Sequence, residues 1–350
     1  MGIGQTHTII VGAGPIGIEL AVALKQLGVD YLHLEAKQIA HTISWYPRQV
    51  QYFSSSDRIA IAGVPLHTVD QSKATREEYL AYLRGVVDQF DLPIRTFEPV
   101  TSIQKNGRQF IVQTSRNEQT RTYQARHVVL AIGDMHRPRL LQIPGEQLPH
   151  VSHYFDEPHR YFRQRLLIVG GRNSAVETAI RCQRAGARVT ISYRKASFDP
   201  QRIKYWLTPE IEMLIKTGKI VFHPQTVPRH ITTSRVTLQH VKSGKTNEVP
   251  CDFVLLLTGH EMDTSLFAMA GVKLEGENRA PTFDPTTMQT NVPGLYVAGT
   301  ASAGTQIRFH LFIENCHPHV AKITTSLTGR EPTFSTQDRT HSGRYRLPES

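Results

Sequence analysis

Short apolar runs recur along the chain between polar turns, and their order predicts strands and helices in alternation. The β-branched run Thr8–Val11 leads into Gly12-Ala13-Gly14-Pro15-Ile16-Gly17. Apolar positions continue at helical spacing to Leu27, Gly28 ends that pattern, and a second apolar run, Tyr31–Leu34, stops at Glu35. This is strand, turn, helix and strand. The segment 36–71 that follows has little helical periodicity and contains Ser44-Trp45-Tyr46-Pro47 and Tyr52-Phe53-Ser54-Ser55-Ser56. It reads either as a functional loop, its aromatics and hydroxyls suited to a flat ring and its polar edge, or as a surface loop with buried aromatic anchors. Thr75-Arg76-Glu77-Glu78 has the spacing of a capping box and predicts a helix to about Phe90. Runs at Ile94–Phe97, Phe110–Thr114 and Thr122–Ala125 predict a small antiparallel insertion, and His127–Ala131 predicts a return to a buried strand ending at Ile132-Gly133-Asp134.

The opening unit is then repeated. Leu166–Val169 is a strand, Gly170-Gly171-Arg172-Asn173-Ser174-Ala175 a turn, Val176–Arg184 a helix stopped by Gly186, and Arg188–Tyr193 the next strand. A repeat of this kind predicts two dinucleotide-binding folds in one chain. Beyond it, Thr208 at a cap and Pro209 in a first turn open a further helix that Gly218 closes. Ile220–Phe222 resumes the sheet, Val236–His240 and Val249–Cys251 pair as a hairpin, and Phe253–Leu257 runs to Gly259. Leu295–Ala298 ends in Gly299-Thr300, a last helix begins near Gln306 or Ile307, and the polar, basic tail after Gly329 is expected to be loosely held.

The turns carry the candidate chemistry. Gly12 permits a tight turn, Gly14 lets the backbone approach a pyrophosphate, and Gly17 lets helix and strand pack closely. The helix that follows directs free N–H groups and the positive end of its dipole at the phosphates. Glu35 closes the second strand, where a carboxylate accepts hydrogen bonds from ribose hydroxyls; the second unit has Arg194-Lys195 there and no acid, which suits a 2′-phosphate. The first site therefore looks built for FAD and the second for NADPH. Candidate cofactor-binding residues run from Gly12, Gly14, Pro15, Ile16 and Gly17 through Glu35, Ala36, Thr42, Tyr46 and Val100 to Ala131, Ile132, Gly133, Gly299 and Thr300. Those of the second turn are Gly170, Gly171, Arg172, Asn173, Ser174 and Ala175, with Tyr193, Arg194, Lys195 and Gly259. No catalytic acid or base is nominated, because the flavin carries the chemistry.

Composition narrows the classes. The 350 residues, 39% hydrophobic and 20% charged, suffice for two domains, and no apolar run reaches the length of a membrane span. The start of the chain lacks a secretory pattern, and Cys182, Cys251 and Cys316 lie far apart without CxxC or metal-ligand spacing. A reducing cytoplasm is expected, with no metal site. The net charge of +10 comes from Lys and Arg spread along the chain without a nucleic-acid module, so anionic cofactors or an acidic partner explain it better than nucleic acid, and a merely basic surface explains it better still. His317-Pro318-His319 reads as structural, since two residues apart is not one helix face.

Taken together, Tyr52-Phe53-Ser54-Ser55-Ser56, Val151-Ser152-His153-Tyr154-Phe155, Gly170-Gly171-Arg172-Asn173-Ser174-Ala175-Val176-Glu177 and Phe312-Ile313-Glu314-Asn315 resemble the bacillithiol disulfide reductase family, within the thioredoxin-reductase-like flavoproteins. The resemblance runs over nearly the whole chain. It implies an α/β protein of two Rossmann-like domains, the NADPH domain (156–285) inserted into a discontinuous FAD domain (1–155 and 286–350). It also implies NADPH as hydride donor and a low-molecular-weight disulfide as acceptor. Three positions depart from the pattern. The thioredoxin-reductase CxxC is missing from Val151–Arg165, Ile16 stands where the bacillithiol-type enzymes place a cysteine, and the late Gly-Asp of many relatives is Gly299-Thr300. The expected function is thus an FAD-dependent NADPH oxidoreductase serving a small-molecule or small redox-protein acceptor, with a homo-oligomer as the possible assembly. A flavin monooxygenase (His153 and Tyr154 precede the second turn), a ferredoxin- or flavodoxin-type NADP reductase and a non-enzymatic NADPH sensor are the rivals.

Overall fold

A computed structural model of the protein describes residues 4–200, 203–307 and 310–337. The chain divides into two compact units: residues 4–44, 49–137 and 260–337 form the first, and residues 45–48 and 138–259 the second. The first unit begins with β1 (Gly4–Val11), α1 (Pro15–Gln26) and β2 (Tyr31–Leu34), as the apolar pattern predicts. The capping box at Thr75 is formed in full and starts α2 (Arg76–Gln89). Then come β3 (Ile94–Arg95), β4 (Val100–Asn106), β5 (Gln109–Arg116) and β6 (Gln119–Leu130).

In the second unit, β7 (Val151–Ser152), β8 (Arg165–Val169), α3 (Asn173–Arg184), β9 (Arg188–Tyr193), α4 (Thr208–Lys216) and β10 (Ile220–Pro224) are followed by β11 (Thr226–Ile231), β12 (Arg235–His240), β13 (Thr246–Pro250) and β14 (Phe253–Leu256). The chain then re-enters the first unit with β15 (Leu295–Val297) and α5 (His317–Thr328).

The first unit is built on a seven-stranded sheet in the order β3-β2-β1-β6-β5-β4, with β15 as the seventh strand beside β6. β6 has two halves. Its first half pairs antiparallel with β5, and its second half, Val128–Leu130, pairs parallel with both β1 and β15. The runs expected separately at Thr122–Ala125 and His127–Ala131 are this one strand, because the intervening Arg126 occupies an outward position and leaves the pairing unbroken. Thr8 to Val11 is almost fully buried, as a parallel strand covered on both faces requires.

The second unit has a parallel sheet in the order β10-β9-β8-β14-β7 and a separate antiparallel sheet β11-β12-β13. Of the latter, β12 and β13 are the expected hairpin, while β11 extends it without having been expected. Both junctions between units fall earlier than the 155/156 and 285/286 expected from the sequence. Residues 138–155 go with the second unit because β7 pairs with β14, and Leu141, Ile143 and Leu148 pack on the core of Leu167, Val236, Leu238 and Val254. Residues 260–285 go with the first, where the short helix Ser265–Met269 packs on β4.

Two helix starts also differ. Thr208 is the first helical residue of α4, and Leu207 is its cap. The last helix begins at His317, with Cys316 capping and Pro318 in its first turn, some ten residues beyond the expected start. Ahead of that helix the side chain of Gln306 is tied to the backbone of His310 and Leu311. Its amide oxygen accepts the N–H groups of His310 and Leu311 at 3.0 Å, and its nitrogen donates to Leu311 O at 3.0 Å. The tail from 338 onward lies outside the described residues.

Candidate functional site

The first glycine turn sits at the carboxyl end of β1. Gly12 has φ 104°, and a Cβ there would stand 2.5 Å from Ala131 O at the end of β6. A Cβ on Gly17 would come within 2.1 Å of Gly12 O, so helix and turn touch directly. Gly14 is different: nothing lies within 4 Å of where its side chain would be, leaving the backbone open to a close ligand. Pro15 starts α1, whose missing N–H is one that a first turn leaves unbonded anyway. Glu35 reaches back to this turn, Oε2 accepting Ala13 N–H at 2.7 Å and Oε1 accepting Lys37 N–H at 2.8 Å. Ala13 O accepts Ala40 N–H at 2.9 Å, which brings the short helix containing Thr42 back beside the turn. Phe97 and Glu98 donate N–H bonds to Lys37 O and Glu35 O, and this places Val100 two residues beyond the Glu35 corner.

Parallel strands β1, β6 and β15 end together, and their ends carry the other first-unit candidates. Gly299 lies against Ile16, whose side chain is 3.5 Å from the Cβ position at Gly299. Gly133, at φ 74°, faces the Thr300 hydroxyl at 3.9 Å. Ala36 is exposed just past Glu35. Tyr46 belongs to the 45–48 segment, which groups with the second unit.

Several polar residues here have no counterpart among the sequence candidates. His33 is fully buried on β2 and its Nε2 donates to Gly12 O at 2.9 Å; burial pushes its pKa down to about 4, so the ring is neutral. His319 Nδ1 accepts Gly299 N–H at 3.1 Å. Behind α1, Glu19 and His317 are completely buried and bonded at 2.7 Å, and His317 Nε2 donates to Arg58 O at 3.0 Å. Glu19 also accepts Ala62 N–H at 3.1 Å. Asp134, 8% exposed, accepts a bond from Gln306 at 2.9 Å; burial raises its pKa against the opposing pull of Gln306 and Thr300.

The second turn has its own packing. A Cβ on Gly170 would meet Leu257 O at 2.6 Å, and one on Gly171 would meet the Tyr193 ring at 2.4 Å. Tyr193 is therefore a buried wall of the turn, stacked on Phe198 at 5.8 Å, and the chain directly after it, beginning with Arg194 and Lys195, is exposed. Lys195 reaches Asp199 at 4.0 Å. Arg172 caps α3, Ser174 is exposed and Ala175 is buried beneath Gly170. Asn173 Oδ1 accepts Lys204 N–H at 2.6 Å, while Lys204 Nζ meets Glu177 at 2.9 Å. Gly259, at φ 101°, follows the end of β14 beside the turn. His153 Nε2 lies 3.4 Å from Glu146, a carboxylate already holding the N–H groups of Leu141 and Gln142.

All three cysteines are free and buried. Burial raises Cys182 to about 12 and outweighs the opposing pull of Arg181; the same cause raises Cys251 to about 11. Cys316 caps α5 rather than lying a couple of turns into it. Among the described residues no group of His, Cys, Asp or Glu is arranged to hold a metal, and no helix is long and apolar enough to cross a membrane.

Residues 9–299 match the family model described as pyridine nucleotide-disulphide oxidoreductase. The chain is 34% identical over 330 residues to bacilliredoxin reductase Bdr of Bacillus subtilis, spanning 93% of this chain and 99% of that protein. The solved structure of bacillithiol disulfide reductase Bdr from Bacillus cereus superposes with a TM-score of 0.88 at 34% identity, covering 93% and 100% of the two chains. A ferredoxin–NADP reductase of Ignicoccus hospitalis is 28% identical over 302 residues, 83% of this chain and 88% of that one.

Proposed function

The chain belongs to the pyridine nucleotide-disulphide oxidoreductase family and is an oxidoreductase working with a flavin and a pyridine nucleotide; from that premise we propose that it binds FAD at the first turn, takes hydride from NADPH bound at the second, and reduces a small acceptor. The observation that carries this reading is the contrast between strand ends, Glu35 held at the first turn and Arg194-Lys195 exposed at the second. The bare approach at Gly14 and the N-terminus of α1 fit a pyrophosphate, and Glu35 keeps free lone pairs for ribose hydroxyls. Bound flavin would supply two-electron chemistry; the chain's residues hold and orient it.

A low-molecular-weight disulfide is the acceptor class to try first, since relatives named for bacillithiol disulfide and bacilliredoxin reduction match over almost the whole chain. Ile16 and the three buried cysteines support transfer without a thiol relay in this chain. The compartment this reading assumes is a reducing cytoplasm. Stopped-flow reduction of the purified yellow protein by NADPH, followed by reoxidation with disulfides, oxygen, ferredoxin and flavodoxin, tests it. Fast reduction and fastest reoxidation by a disulfide is the expected result. A long-lived oxygen adduct would select the monooxygenase reading, and reduction with no effective acceptor would select a sensor.

A further inference from the structure

A carboxyl group that takes no part in holding either glycine turn lies where three parallel strands end. β1, β6 and β15 run side by side, and ligands of open α/β sheets bind outside the carboxyl ends of such strands. Asp134 stands four residues past the end of β6 and is 8% exposed. Its fixed partner is neutral: Gln306 Nε2 donates to Oδ2 at 2.9 Å, and the Thr300 hydroxyl nearby helps hold the charged form. Gln306 is locked in turn by the backbone of residues 310 and 311. The titratable group acting on Asp134 is His136, whose ring accepts Asp263 N–H at 3.0 Å; Arg137 acts on His136 in turn. Neutral donors stabilise a buried carboxylate far less than a bonded cation does, so the proton balance of this group answers to new charge arriving nearby. Burial tilts the balance toward the protonated form.

We propose that Asp134 takes up a proton when negative charge arrives on the bound flavin and releases it as electrons leave for the acceptor. This rests on the reading of the first turn as a flavin site. Reduction of a two-electron acceptor A by NADPH consumes one proton beyond the hydride, NADPH + H⁺ + A giving NADP⁺ + AH₂. In the reductive half the Asp134 carboxylate binds that proton from water as the hydride pair leaves the nicotinamide. In the oxidative half the Asp134 O–H bond breaks, and its proton joins the acceptor together with the electron pair and the proton that came as hydride.

The test is potentiometric titration of the bound flavin at a series of pH values, in the native protein and in Asp134→Asn. The slope should report two protons per two electrons in the native protein and one in the variant, a change that a merely structural role would not produce. Equal slopes overturn the proposal. If the variant fails to retain flavin, the reduced-minus-oxidised infrared spectrum of the native protein decides. A carboxylic-acid C=O band that appears on reduction and shifts in D₂O supports the proposal; no such band overturns it. Failure of the underlying reading is distinguishable, because native protein that takes up no flavin is seen as colourless before any titration begins.

Discussion

The two glycine turns share a strand–turn–helix plan, yet the first is bonded into its unit from several directions and the second from few. Ala13 donates to Glu35 and accepts from Ala40, while His33 holds Gly12 from beneath. The helix after this turn is buried without a break from Ile16 to Leu24, with the Glu19–His317 pair sealing its back. At the second turn the Tyr193 ring walls Gly171 and Leu257 O faces Gly170, and the helix keeps Ser174 and Arg184 in solvent. Its cations, Arg194 and Lys195, are exposed. A helix buried all round belongs to the core, and a cofactor seated at its end is held by the same packing that holds the fold. A half-exposed helix with solvated cations suits a ligand that enters and leaves at every turnover. On the proposed reading, this difference suits a resident group at the first turn and an exchanging one at the second.

The strongest way to break this comparison is to cut the seal behind the first helix. His317→Leu leaves the Glu19 carboxylate buried without its imidazole, and losing one member of a buried pair costs about 3–5 kcal/mol. Urea unfolding should show a large fall in midpoint together with loss of flavin. Lys204→Met, which removes the partly buried pair with Glu177 beside the second turn, should cost far less. Equal losses would mean that the two turns are embedded alike.

Acid should act on the first turn through His33. Its folded pKa of about 4 lies below the ordinary 6.5, so the neutral ring is favoured by the fold. Stability from this group is complete above pH 6.5 and is lost as pH falls from there toward 4, in total roughly 3 kcal/mol. His33→Gln keeps a donor for Gly12 O and removes the titration. Thermal melts from neutral to mildly acidic pH should therefore flatten in the variant, and an unchanged slope would assign the acid loss elsewhere.

Two further substitutions sharpen the assignment of cofactors. Glu35→Ala deletes charge-assisted bonds to Ala13 and Lys37, each worth about 1.5–3 kcal/mol. Flavin retained through gel filtration should drop, with NADPH affinity unaffected. Neutralising Arg194 and Lys195 should instead weaken NADPH relative to NADH. Because both side chains are exposed, each lost contact sits near the low end, roughly tenfold in the ratio of reduction efficiencies. A ratio that stays put in the double variant would place the 2′-phosphate away from Arg194 and Lys195.

What could be read in the sequence were local signals. Each glycine turn, its flanking strands and the Thr75 capping box depend on residues within a few positions of one another, and each formed as the pattern indicated. The features missed depend on partners far along the chain. His317 meets Glu19, Gln306 meets Asp134, and His319 meets Gly299, all through contacts between segments that only the tertiary fold brings together. A polar residue inside an apolar run, such as Glu19 within Ile18-Glu19-Leu20-Ala21 or His33 within Leu32-His33-Leu34, is a local sign that a partner is needed. The same holds ahead of the last helix, since nothing adjacent to Gln306 in sequence reveals that its side chain is committed to Asp134 and the 310–311 backbone. The first unit boundary followed from pairing of β7 with β14, a hundred residues apart, and the second from packing of the helix Ser265–Met269 on β4, rather than from any linker composition.

The smallest expected effect is none at all. Disulfide exchange through the protein needs a thiolate that reaches both substrate and electrons. Cys182 and Cys251 are buried and their thiols are raised to about 12 and about 11, and Arg181, the cation nearest Cys182 in sequence, has its guanidinium over the Phe155 ring instead. Cys316 is buried at the cap of α5. Ile16 fills the place against Gly299 where a thiol would stand beside the first turn. A variant with all three cysteines changed to alanine removes one sulfur from each buried site and should lose some stability through the cavities left. Its rate of flavin reduction by NADPH and its turnover with a disulfide acceptor should both match the native protein. Normal flavin reduction with turnover lost only for disulfides would mean that one of these buried thiols becomes reachable during the cycle. The resident group at the first turn would then share its electrons with a protein sulfur before any acceptor receives them.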